Sequence, residues 1–131
     1  YKRYPKTAAW LIVVLVDTSI WINHLREPVQ GLVDLLEEGE VLIHPMVIGE
    51  LACGLLSSRN SLLHYLDRLP RVFVATDQEV RQLIETHKLM GQGVGYLDMH
   101  LLASTVLSGE VRLWTRDKKL AILANKLSIT H

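Results

Sequence analysis

The 131-residue sequence is short of several features, and each shortage excludes a class of protein. It contains 1 cysteine, Cys53, which excludes an intrachain disulfide and any zinc or iron–sulfur site built from four thiolates. Lys and Arg together number 14, as do Asp and Glu, so the formal net charge of +0 gives no overall field that would attract a nucleic acid. With 4 prolines and 8 glycines, the composition is not that of a disordered or collagen-like chain.

The sequence does contain enough apolar residues for one hydrophobic core. Hydrophobic residues make up 49% of the chain and charged residues 21%, which is the balance of a globular protein. Because a domain usually has about 100–200 residues, this length predicts a single domain. The lack of a second cysteine makes a reducing cytoplasm the expected compartment.

The first 16 residues, YKRYPKTAAWLIVVLV, begin with basic residues and end with nine apolar ones, which is the order of a secretory signal peptide. This apolar run is about half of the ~20 residues that a membrane span needs, and no small-residue cleavage site follows it. We therefore interpret residues 11–16 as a buried parallel strand, since strands covered on both faces are continuously apolar. We expect residues 1–10 to be an extension outside the fold, residues 11–131 to form the domain, and no association with a membrane.

Apolar strands and helical patterns alternate along the rest of the chain. Further short strands are predicted at residues 41–44, 72–74 and 111–115, with a possible edge strand at 128–130. Helical spacing or helix-capping signals occur at residues 20–25, 29–38, 45–56, 61–69, 78–90, 96–107 and 118–126. This alternation predicts an α/β fold with a small, mostly parallel sheet of four to five strands and helices on both faces.

Acidic residues occur where predicted strands end. Asp17 directly follows the first strand and Asp117 comes shortly after the fourth, so both are expected at the rim where open α/β sheets bind ligands. Asp98 begins a predicted helix, and Glu50 lies in a largely apolar helical segment, where an unpaired carboxylate would be costly. Four converging carboxylates would repel one another unless a divalent metal neutralised them, and oxygen donors favour Mg²⁺ or Mn²⁺ over zinc.

Each of these residues also has a purely structural interpretation. Asp17 is well placed to cap a helix, and Asp98 and Asp117 are well placed to complement helix dipoles. Glu50 alone would be a surface glutamate, and Thr115 a β-branched residue that ends a strand. Only the combination of positions favours a metal site.

In this combination the sequence resembles the PIN-domain endoribonucleases, and among them the VapC-type toxins of bacterial type II toxin–antitoxin (VapBC) pairs. Four segments carry the resemblance: VDTSIWI at residues 16–22, HPMVIGELACG at 44–54, GYLDMHLLAS at 95–104 and LWTRDKKLA at 113–121. The four acidic positions of the family fall on Asp17, Glu50, Asp98 and Asp117, and the resemblance covers about residues 13–131.

The resemblance implies a three-layer PIN-like fold and a metal-dependent endoribonuclease that cleaves a structured RNA, such as a tRNA or rRNA loop, to block translation. It implies that one or two Mg²⁺ or Mn²⁺ ions are bound by Asp17, Glu50, Asp98 and Asp117. Thr115 would support the site by orienting Asp117 through its hydroxyl. The resemblance further implies a homodimer and a cognate VapB-type antitoxin that inhibits the toxin.

Basic residues lie beside the fourth acid. We predict that Arg116 and Lys118 contact RNA phosphates, although a run of charges is also typical of a solvated helix face. Some family members carry a further acid where Lys118 and Lys119 stand here, which leaves the number of metal ions open. The Leu-rich faces of the helices at 29–38 and 61–69 are open to interpretation as core, dimer contact or antitoxin groove.

Two other functions compete with the nuclease. A phosphotransfer domain also sets acids at strand ends, but the adjacent acidic pair or DxDx[TV] run of such domains is missing around Asp17. A non-catalytic RNA- or antitoxin-binding module with a vestigial acidic site is the second alternative. Binding without cleavage would survive metal chelation, whereas the nuclease would not.

Overall fold

The structure, a computed structural model, describes residues 13–131. The strands and helices follow in the order β1 (Val13–Val16), α1 (Thr18–Arg26), α2 (Gln30–Glu37), β2 (Val41–Leu42), α3 (Pro45–Ala52), α4 (Arg59–Asp67), α5 (Asp77–His87), α6 (Tyr96–Ser108), β3 (Val111–Trp114) and α7 (Lys118–Lys126). The expected extension at residues 1–10 and the first two residues of the predicted first strand lie outside the described residues. No helix in the described part of the chain is long and apolar enough to cross a membrane.

The three strands form a parallel sheet with β1 in the middle. β1 pairs in parallel with β2 on one side and with β3 on the other, so that Val14 lies opposite both Val41 and Arg112. Val14, Leu15 and Val16 are fully buried. Because successive side chains of a strand point to opposite faces, both faces of β1 are covered. This confirms the predicted buried strand and the predicted α/β fold class.

The described sheet has three strands, and the prediction of four to five is wrong. The expected strand at residues 72–74 contributes only one isolated bridge, between Ile43 and Arg71. Shortly after this bridge the Ala75 backbone N–H donates to the Ser104 hydroxyl at 3.1 Å, and the chain then turns into α5. The ladder cannot continue past the bridge, because the opposite segment reaches Pro45, which begins α3 and has no backbone N–H to donate.

The expected edge strand at residues 128–130 is likewise reduced to a single bridge, between Leu113 and Thr130. The backbone N–H groups of Ser128 and Ile129 donate to carbonyls of α7, at 3.0 Å each. These amides complete the end of the helix, and too little backbone is left to form a longer ladder with β3.

Helix α6 passes through the hydrophobic core and positions one of the predicted acids. Its residues from Met99 to Thr105 are all buried, and the helix packs against α5 and β3. Asp98 immediately precedes this buried run and is half-buried. The first turn of α6 is therefore anchored by apolar packing on the residues that follow it.

A buried histidine begins α3. His44 is the N-cap: its Nδ1 accepts the Met46 backbone N–H at 3.0 Å, and its Nε2 lies 3.2 Å from the Ser104 hydroxyl. Because Nδ1 accepts a hydrogen bond, the proton of the neutral ring is on Nε2, which donates to Ser104. Burial, followed by the charges of His100 and Arg71, lowers the pKa of His44 to about 4.

We expect His44 to make the stability of the chain depend on pH. The pKa of about 4 in the folded chain compares with 6.5 for an ordinary histidine, so between these values the unfolded chain binds more protons. The contribution of His44 to the free energy of unfolding should therefore fall by up to about 3 kcal/mol as the pH is lowered from 6.5 to 4.

Urea denaturation across this pH range is the measurement, with His44→Asn as the comparison, because asparagine can also cap a helix. The variant should lose less stability on acidification than the unmodified chain. Equal losses in the two proteins would contradict this role of His44.

Candidate functional site

Asp17 lies at the carboxyl end of β1 and caps α1. Its Oδ1 accepts the Thr18 backbone N–H at 2.7 Å. Its Oδ2 accepts the Ser19 hydroxyl at 2.8 Å and the Thr115 hydroxyl at 2.6 Å. Asp17 is 5% exposed, so this set of donors holds a buried carboxylate in one orientation. The helix-capping interpretation is therefore correct, and it is compatible with a further role.

Thr115 joins the ends of β1 and β3. Its hydroxyl donates to the Asp17 carboxylate and accepts the Asp117 backbone N–H at 3.0 Å. The hydroxyl thus contacts Asp117 at its backbone, whereas the side chain that it holds is that of Asp17. The orienting role of Thr115 toward Asp117 stays a prediction. The Oδ1 of Asp117 instead accepts the backbone N–H groups of Lys119 and Leu120, at 2.9 and 3.0 Å, and so caps α7.

Glu50 on α3 is linked to Asp17 through one threonine. The Glu50 Oε1 accepts the Thr18 hydroxyl at 2.6 Å, while the backbone N–H of Thr18 donates to Asp17. The expectation that Glu50 is buried among apolar residues is wrong, because the residue is exposed. Val47 and Leu51 form the buried face of α3, and Glu50 lies about 100° around the helix from Leu51.

Asp98 is the acid with the fewest favourable contacts. Gly95 is the residue that caps α6, and within the described residues the Asp98 carboxylate accepts no hydrogen bond. Burial, followed by the negative charges of Asp17, Asp117 and Glu50, raises the pKa of Asp98 to about 6. The three other predicted acids therefore all act electrostatically on Asp98 and disfavour its charged form.

The chemistry of these side chains fits a hard divalent cation. Within residues 13–131, no Lys or Arg forms an ion pair with any of the four acids, so their charge is not balanced there. Carboxylate oxygens are the ligands that Mg²⁺ and Mn²⁺ prefer. As the side chains stand, however, no three Asp, Glu, His or Cys residues in the described part of the chain form a ready coordination sphere.

Two hydroxyl residues of this site, Thr18 and Ser19, were not among the residues predicted from the sequence. Thr18 donates to Glu50, and Ser19 donates to Asp17 while accepting the Arg116 backbone N–H at 3.0 Å. A signal for both is present, because these hydroxyl residues directly follow an acid at the end of a strand. The side chains of Arg116 and Lys118 are exposed beside Asp117, and their contact with phosphates stays a prediction.

A family model described as the PIN domain matches residues 14–126. The chain belongs to the PIN-domain family. Two proteins named Ribonuclease VapC32, from Mycobacterium tuberculosis strains CDC 1551 / Oshkosh and ATCC 25618 / H37Rv, are each 46% identical to this PIN domain over 108 residues. Each alignment covers 82% of this chain and 87% of the relative. The predicted resemblance to a PIN domain of the VapC type is thus confirmed.

The electrostatic position of Asp98 gives a prediction for the metal-free PIN domain. Because its charge is unfavourable, Asp98→Asn should raise the free energy of unfolding at pH 7.5 in EDTA, by about 1 kcal/mol after allowance for screening by solvent. Asp98 has a pKa of about 6 when folded and 3.8 ordinarily, so the folded chain binds more protons between these values. The gain should therefore disappear as the pH falls from 6 to 3.8.

Urea denaturation in EDTA measures this difference. Asp67→Asn is the matched control, because the Asp67 side chain is 58% exposed on α4, and it should show no comparable gain. If Asp98→Asn is less stable than the unmodified chain at pH 7.5, the negative charge of Asp98 does not destabilise the folded chain.

Proposed function

We propose that this PIN domain is a divalent-metal-dependent endoribonuclease that serves as the toxin of a toxin–antitoxin pair and cleaves a structured RNA, such as a tRNA or rRNA loop, to block translation. The observation that carries the proposal is the position of the half-buried Asp98. Three other carboxylates act on its charge, and within the described residues no Lys or Arg forms an ion pair with it. The similarity of this PIN domain to proteins named ribonuclease supports RNA as the substrate.

Asp17, Glu50, Asp98 and Asp117 would hold one or two Mg²⁺ or Mn²⁺ ions, which would polarise the scissile phosphate and lower the pKa of the attacking water. Asp98 would be the principal ligand, because within the described residues its carboxylate has no hydrogen bond to give up. Asp17 keeps its orientation through Thr115. Glu50 uses Oε1 to accept the Thr18 hydroxyl, which suits an outer ligand or a base toward the attacking water.

The surrounding charges and partners belong to the same proposal. Arg116 and Lys118, exposed beside Asp117, would contact RNA phosphates and position the strand without selecting its sequence. A cognate VapB-type antitoxin would inhibit the enzyme, which would act as a homodimer in the cytoplasm. Residues 11–131 would form the working domain, with residues 1–10 outside it.

A second function is favoured by two observations. Asp17 and Asp117 already serve as helix caps, and the described acids form no ready coordination sphere. These features would also be expected of a non-catalytic module that binds RNA or an antitoxin and retains a vestigial acidic site. The two functions differ in their need for metal. The nuclease needs a metal ion to cleave RNA, whereas a binding module needs none.

The first test is cleavage of total RNA by the purified chain, freed of any antitoxin, in Mg²⁺ or Mn²⁺. Specific cuts should appear, should vanish in excess EDTA, and should fall to background in Asp17→Asn and Asp98→Asn, because each variant removes a charge from the cluster. Asp67→Asn is the matched control and should retain full activity. Sequencing of the new ends identifies the substrate. Cleavage in EDTA, or by Asp98→Asn, would contradict the metal-dependent mechanism.

The contact between Thr115 and Asp17 gives a second test. Thr115→Val preserves the shape of the side chain but removes the hydroxyl that holds the Asp17 carboxylate at 2.6 Å. We expect the affinity for Mn²⁺, measured by calorimetric titration, and the cleavage rate each to fall about 10–100-fold. Thr115→Ser keeps the hydroxyl and should retain most of both. If the valine and serine variants bind Mn²⁺ equally well, the hydroxyl has no part in the site.

A further inference from the structure

His44 and Ser104 form a buried hydrogen bond that the proposed function does not use. Both residues are 0% exposed, and the bond of 3.2 Å joins the residue before α3 to the middle of α6. The Ser104 hydroxyl also accepts the Ala75 backbone N–H at 3.1 Å, from the segment that leads into α5. One hydroxyl therefore connects three segments of the core.

The two helices that meet at this bond are the ones that carry Glu50 and Asp98. Glu50 lies six positions after His44, and Asp98 lies six positions before Ser104. Six residues extend about 9 Å along a helix. Glu50 also lines one cavity together with Tyr96 and Leu97, the two residues before Asp98, so the acid-bearing parts of the two helices are near each other as well. Helices α3 and α6 therefore run in opposite directions here, with the hydrogen bond at one end and the acids at the other.

The two ends of this helix pair experience opposite forces. At one end, the carboxylates of Glu50 and Asp98 repel each other, which favours a wider separation of the helices. At the other end, separation would leave the His44 Nε2–H without an acceptor inside the core, which is costly. The buried bond thus resists the movement that the charges favour.

We propose that the hydrogen bond between His44 and Ser104 sets the distance between the carboxylates of Glu50 and Asp98, and thereby the affinity of the acid cluster for a divalent cation. This inference rests on the proposed function, because it takes the cluster to be the metal site. His44 and Ser104 are positioning residues that act through α3 and α6 and touch neither RNA nor metal.

Ser104→Ala tests the proposal because it removes the acceptor and leaves α6 otherwise unchanged. Ser108→Ala is the matched control: it makes the same substitution at a buried site on the same helix, where the hydroxyl bonds to the Ser104 carbonyl at 2.6 Å. Calorimetric titration with Mn²⁺ alone, at a temperature where every variant is folded, gives the Kd. We expect the Kd to rise about tenfold in Ser104→Ala, to stay within about twofold in Ser108→Ala, and to recover in Ser104→Thr.

RNA cleavage supplies a second readout that general weakening of the fold would not reproduce. In Ser104→Ala, the Mn²⁺ concentration for half-maximal cleavage should rise by the same factor as the Kd, whereas the KM for RNA at saturating Mn²⁺ should stay constant. If Ser104→Ala does not fold, His44→Asn replaces it, because asparagine can cap α3 but is shorter and lacks the Nε2 donor.

The outcomes distinguish this inference from the proposed function. An unchanged Kd for Mn²⁺ in the folded Ser104→Ala protein overturns the positioning role and leaves the nuclease proposal intact. An equal rise in Ser108→Ala overturns it as well, because the effect is then one of helix stability. If the unmodified chain neither binds Mn²⁺ nor cleaves RNA, the proposed function fails, and the positioning role fails with it.

Discussion

The repulsion that Asp17, Asp117 and Glu50 exert on the half-buried Asp98 is the constraint on which the proposed site depends. Asp17 and Asp117 are stabilised by backbone amides at the starts of α1 and α7, and Glu50 accepts the Thr18 hydroxyl. Asp98 receives no such hydrogen bond within the described residues, and its pKa is raised to about 6. Packing of the core holds these charges near one another. A divalent cation would relieve the repulsion between the carboxylates, and this relief would favour its binding.

Much of the fold follows from apolar patterns that can be read in the sequence. The continuous apolar run that includes residues 13–16 predicts the central strand, because strands covered on both faces are continuously apolar. The number of strands could not be predicted in the same way. Residues 72–74 lose their partner where α3 begins at Pro45, and residues 128–130 pair little because the Ile129 amide donates to the Ala124 carbonyl of α7. Contacts with neighbouring elements therefore decide the outcome.

The acids of the site are also recognisable from sequence, since Asp17 and Asp117 follow strands and the four motifs occur in order. The contacts of these acids are not recognisable. The exposure of Glu50 depends on which face of α3 meets the core, and the bond from Thr115 to Asp17 depends on the register between β1 and β3. The link between His44 and Ser104 joins residues 60 positions apart, and no local pattern predicts it.

The most direct measurement is the pKa of the Asp98 carboxyl group, determined by NMR titration of the chain labelled with ¹³C, first in EDTA and then with saturating Mg²⁺. If the four acids form a metal site, Asp98 should titrate near 6 without metal and below its ordinary value of 3.8 with Mg²⁺. A pKa near 3.8 in EDTA that Mg²⁺ does not change would contradict both the charge cluster and its role in binding metal.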